Sequence, residues 1–215
     1  MALRHIKGKR STCDVRFFRE WLQAASDMRD LLYEDGDGFD PFRYNETATV
    51  GFLVAAAGRA GMFALSEFTE QNRKLPEGRV RAGRCDLWIG SADWRIQWLI
   101  EFKLGWYGPR ARDGLVTPMN AAIRCAFGRD SSEADERWAC VVYAPGRRWL
   151  NETAIQRARW ASHAEVDRLA EHVDVAFEIG GPAGPAHVLL KRIPARARVP
   201  ERHLLNPDVL RPGID

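Results

Sequence analysis

The sequence predicts a single α/β domain over residues 1–215, on three observations. Val15, Phe18, Leu22, Ala25 and Leu32 recur at helical spacing, as do Val50, Leu53 and Ala57, the mark of helices that bury one face. Arg84–Trp106, RCDLWIGSADWRIQWLIEFKLGW, alternates in the two-residue period of paired strands. From Asp40 onward the elements read helix, strand, strand, strand, helix, strand, helix, strand, strand, so helices and strands are interleaved.

Residues 1–11 form a basic arm, expected to be mobile. Ser11 or Thr12 caps a helix running to about Glu34, with Trp21 and Met28 beside its apolar stripe. The acidic segment Tyr33–Phe39 reads as a solvated turn, since it lacks the spacing and terminal Glu of a calcium loop. Asp40 as cap and Pro41 at the first position open a second helix through Ala57, ending near Gly58 or Gly61. Its inward stripe includes Phe42, Glu46 and Thr49. Met62–Thr69 is the first strand, and 71–83 is a polar, basic connection. The hairpin follows: Cys85, Leu87 and Ile89 alternate with Asp86 and Trp88, Ser91-Ala92-Asp93 turns, and Ile96–Leu104 returns. After the loop Gly105–Gly114, a helix starts at Thr117-Pro118 and reaches about Phe127. Arg137–Ala144 is a buried strand, and Asn151 caps a long helix to about His172. Val173–Ile179 and Ala186–Ile193 close the domain as a hairpin around GGPAGP. The proline-rich tail 194–215 either packs across the surface or mediates association, which leaves a homodimer open.

A composition of 46% hydrophobic and 28% charged residues is that of a soluble globular chain. No run approaches the ~20 apolar residues of a membrane span. The basic start is not followed by a signal-peptide apolar core, so the expected location is cytoplasmic with no membrane partner. Cys13, Cys85, Cys125 and Cys140 form no CxxC pair and sit near no His, which argues for reduced, mostly buried thiols. His5, His163, His172, His187 and His203 are equally scattered and read as surface or capping residues. A net charge of +3 is compatible with nucleic-acid binding without demanding it.

The chemistry concentrates in the hairpin. Glu101 and Lys103 lie on one face of their strand, about 6.5 Å apart, and pairing with the preceding strand brings Asp86 toward them. Two carboxylates can share a hard cation, and a neighbouring lysine can hold and help deprotonate an attacking water and offset charge on phosphorus. Alternatively the three form a structural ion network. Glu46 either complements the positive end of its helix or reaches the sheet as a further acid. Glu67 is another candidate acid, or else a salt-bridge partner for an arginine.

Asp86, followed by Glu101-Phe102-Lys103 on the next strand, resembles the signature of the PD-(D/E)XK nuclease superfamily, with Cys85 where the family name has proline. The resemblance implies a restriction endonuclease-like core over residues 40–144. That core is a central mixed sheet flanked by helices in the order αβββαβ, here with an added N-terminal helix and a C-terminal β-hairpin. It further implies Mg2+ or Mn2+ held by Asp86, Glu101 and the Phe102 carbonyl, with Glu46 in support and Lys103 orienting the attacking water. The implied reaction is phosphodiester hydrolysis of nucleic acid, DNA favoured over RNA. Arg79, Arg81 and Arg84, together with Arg110 and Arg112 beside Trp106 and Tyr107, then line the phosphate backbone, or are ordinary solvated loop residues. The competing expectation is a non-catalytic nucleic-acid-binding or protein-interaction module on the same fold.

Overall fold

A computed structural model describes residues 2–35, 38–74, 80–107, 114–128, 134–146, 162–181, 184–194 and 203–206, with backbone alone at 68–74 and 80–83. Its centre is a seven-stranded mixed sheet in the order β1-β6-β7-β5-β4-β3-β2. The strands are β1 (Leu3–Lys7), β2 (Phe63–Lys74), β3 (Val80–Gly90), β4 (Gln97–Tyr107), β5 (Glu136–Pro145), β6 (Val175–Ile179) and β7 (Ala186–Ile193). Only β4 and β5 run parallel, joined by helix α3 (Val116–Phe127); every other neighbour is antiparallel. Helices α1 (Cys13–Asp35) and α2 (Glu46–Arg59) precede the sheet's β2–β4 meander, and α4 spans 162–170. Among the described residues no helix is long and apolar enough to cross a membrane.

Helices cover both faces. Phe18, Trp21 and Leu22 of α1, with Leu53 of α2, pack on Leu87, Ile100, Phe102, Trp138 and Phe177. Met119 and Ile123 of α3, with Val166 and Leu169 of α4, pack on Val141, Leu189 and Ala176 from the other side. Strand β5 therefore reads as an unbroken apolar run, because Trp138, Cys140 and Val142 enter one core while Ala139, Val141 and Tyr143 enter the other. Of the thiols, Cys85 and Cys140 are buried and Cys13 is exposed, and none of the four is paired in a disulfide.

Several expected boundaries shift. The segment expected as a free basic arm contains β1, which pairs with β6 and carries the Arg4–Glu178 ion pair. A bulge between His5 and Lys7 breaks its alternation, which hides the strand in the sequence. Asp40 does not open the long helix. It caps a 3-10 turn, Pro41–Arg43, by accepting from the Phe42 amide; the chain breaks at Tyr44, and Asn45 caps α2 by accepting from Ala48 N–H. Asp40 is committed elsewhere, to the buried Arg29. Most of the expected connection 71–83 is strand, since β2 and β3 pair out to Lys74↔Val80. Likewise β4 runs through Gly105 to Tyr107, and Trp106 is exposed. The expected start of the helix at Asn151 lies outside the described residues. Of the tail, Leu205 packs inward and is held through both backbone groups by the Asn120 amide.

Arg29 ties the early helices to the far hairpin. Its guanidinium lies 2.6 Å from Asp40 Oδ2, donates to the carbonyls of Ile179, Gly180 and Gly184, and stands over the Phe42 ring. Residue 181 must be glycine, because a Cβ there would fall 2.2 Å from Arg29 Cζ.

Candidate functional site

The site forms where β3 and β4 part. Their ladder runs from Gly90↔Gln97 to Leu87↔Ile100 and stops. Beyond that point, β4 amides that a continued β3 would have met are taken by carboxylates instead. Phe102 N–H donates to Asp86 Oδ2 (2.8 Å) and Leu104 N–H donates to Glu46 Oε2 (3.1 Å). Such amides lie in the plane of the sheet, so Glu46 reaches them through the opening between the strands. Asn45, which starts α2 after the break at Tyr44, sets Glu46 at the helix's first residue. There the carboxylate also faces the positive end of the helix. Glu46 thus both faces the positive end of its helix and reaches the sheet.

Lys103 lies between the two acids. Its Nζ is 2.9 Å from Glu46 Oε1 and 3.5 Å from Asp86 Oδ2, and it donates to its neighbour's carbonyl, Phe102 O, at 2.6 Å. Burial works against its charge, but the Glu46 hydrogen bond and the charges of Asp86 and Glu46 outweigh it, so the ammonium pKa is raised. Lys103 is thus a protonated donor here, suited to holding a water or a phosphate oxygen and unsuited to removing a proton. The trio is reachable from solvent: the side chains of Lys103, Asp86 and Glu46 are 26%, 28% and 40% exposed.

Glu101 sits differently. It is 1% exposed within β4, and its oxygens do not join those of Asp86 and Glu46 in a three-carboxylate cluster within 4.8 Å. The donors at the opening nevertheless suit a hard cation in kind. Two carboxylates and a carbonyl, all oxygen donors, already ring one cationic nitrogen.

The arginines divide. Arg84 is exposed and pairs with Glu67 at 2.8 Å, which is the salt-bridge alternative for that acid. Glu67 itself has φ of +50°, unusual for a residue with a side chain, directly beside the register position of Asp86. Arg81 lies on β3 with backbone alone described, while Arg79, Arg110 and Arg112 fall outside the described residues. One group escaped the sequence reading altogether: His163, Glu178 and His187 converge within 4.8 Å. Spread over α4, β6 and β7, they share no local spacing, and only the register Glu178↔His187 unites two of them.

Compared with known protein families, curated proteins and solved structures, the chain matches none.

Proposed function

We propose that this protein is a metal-dependent phosphodiesterase of the PD-(D/E)XK type, acting on nucleic acid, with DNA favoured as substrate. The observation that carries the reading is Lys103 held between Glu46 and Asp86 at the open end of the β3–β4 ladder. A second support is the order in which the site's elements arrive. Helix α2, the antiparallel strands β2, β3 and β4, helix α3, and β5 parallel to β4 follow the αβββαβ order of a restriction endonuclease-like core.

In this reading Asp86, Glu101 and the Phe102 carbonyl hold Mg2+ or Mn2+, with Glu46 as a supporting acid. When bound, the cation supplies Lewis-acid stabilisation of charge on the phosphate. The chain's own residues do the positioning. Lys103, kept protonated by its two acids, donates to the attacking water and balances the negative charge that grows at phosphorus. Glu46 fixes the lysine's direction while its other oxygen stays on the Leu104 amide. The exposed Arg84 lies on the same strand as Asp86, where it can meet a phosphate backbone.

Plasmid and single-stranded DNA incubated with Mg2+ or Mn2+ test the reading. Wild type is expected to cleave, whereas Asp86→Ala and Lys103→Ala lose cleavage and keep the wild-type circular dichroism. Full activity in both variants sinks it.

The buried Glu101 favours one other reading, a non-catalytic module in which these charges are an internal ion network. Thermal melts separate the two, because a metal-binding nuclease gains stability with added Mg2+ by mass action and the module does not.

A further inference from the structure

We propose that His163, Glu178 and His187 form a second metal site, which takes a borderline divalent transition ion of the Zn2+ class. Glu178 and His187 face each other across the β6–β7 ladder, and His163 descends on them from α4. Glu178 Oε2 lies 3.0 Å from His163 Nε2 and 3.5 Å from His187 Nδ1. Zinc bonds of about 2.0–2.1 Å place neighbouring tetrahedral ligands about 3.3–3.4 Å apart. The observed separations bracket that value. The two imidazoles stand nearly perpendicular, at 82° with centroids 5.1 Å apart, so both can aim a nitrogen at one point without stacking.

Burial supplies an independent reason. His187 is fully buried, and among the described residues neither of its ring nitrogens has a hydrogen-bond partner. Orphaned buried polar atoms are rare and need an explanation, of which a bound ion is one. Arg4 grips both oxygens of Glu178, at 3.2 and 2.7 Å, and so fixes the carboxylate's direction as outer partners of metal ligands do. Its positive charge also opposes a cation, so the expected affinity is micromolar rather than that of a closed structural zinc site.

The ligand types separate this site from the Asp86 opening. Two imidazoles and one carboxylate select transition ions, whereas all-oxygen donors select Mg2+ or Mn2+. The two also stand apart. His187 faces Tyr143, and Tyr143 faces Gly105 of β4, so two strand spacings, about 10 Å, lie between His187 and the strand that bears Lys103. The proposal does not depend on the nuclease reading.

Calorimetric titration of Zn2+ into the full chain, with Co2+ absorption as a coordination signal, tests it. Wild type and Asp86→Ala are expected to bind one equivalent with equal affinity. His163→Ala, which removes a partly exposed ligand and spares the core, is expected to lose at least tenfold, as is Glu178→Gln. Unchanged circular dichroism in His163→Ala certifies its fold. Absence of micromolar binding in wild type overturns the proposal. So does binding that survives in both ligand variants, or binding that disappears in Asp86→Ala.

Discussion

Replacing Arg29 with methionine is the sharpest test of how the fold supports the site. The guanidinium is wholly buried, makes two hydrogen bonds to Asp40 (3.1 and 2.6 Å), and satisfies the carbonyls of Ile179, Gly180 and Gly184. Methionine fills much of the stem's volume, so the cavity contribution is small. What remains is a buried carboxylate without its cation, and removing one partner of a buried pair costs about 3–5 kcal/mol. For a chain of this size that lowers Tm by roughly 10 °C. Urea titration and thermal melts followed by circular dichroism measure both quantities. A companion variant checks the cause. Arg29→Met/Asp40→Asn removes the stranded charge and is expected to regain part of the loss, while keeping the acceptor that caps Phe42. Stability of Arg29→Met within ~1 kcal/mol of wild type would refute the assignment of this pair as a buried ionic tie, as would a double variant no better than the single one.

Alkaline pH probes the Lys103 cluster. Its folded pKa is raised, so its stabilising contribution is full below the ordinary lysine value, about 10.4, and is lost as pH rises through the higher folded value. Urea titrations at increasing pH should therefore show a decline in wild type that Lys103→Met lacks; parallel declines would count against the ion cluster. At Glu67, with φ of +50°, glycine relieves backbone strain but loses the exposed Arg84 pair. A net gain of about 0.5–1 kcal/mol is expected from equilibrium unfolding, and a loss of that size would contradict the strain.

The parts legible in the sequence were those governed by short-range periodicity. The α1 stripe, the alternation around Cys85–Ile89 and the continuous run of β5 each depend on which faces are buried, and the structure buries those faces. Caps were harder to read. Asp40-Pro41 has the form of a helix start, but the buried Arg29 claims the carboxylate and Asn45 takes over the capping of α2. Strand β1 was hidden by its brevity and its bulge. At the site, Glu46 was visible as an acid on an inward stripe, and Asp86 and Lys103 as an acid and a lysine on successive strands. Their meeting depends on where one ladder stops, which no local pattern encodes. The same holds for His163, Glu178 and His187. The GGPAGP hairpin sets residue 178 opposite 187, while the arrival of His163 from α4 follows from tertiary packing.

The end of the β3–β4 ladder has a spectroscopic consequence. Amide protons in a sheet usually sense only the neighbouring strand, but those of Phe102 and Leu104 point at the ionisable side chains of Asp86 and Glu46. Neutralising either carboxylate, or drawing it toward another positive ion, weakens the bond that its amide makes. In an isotope-labelled sample, the chemical shifts and exchange rates of these two backbone protons become a built-in gauge of charge at the opening. They can be followed without substrate, turnover or any added probe.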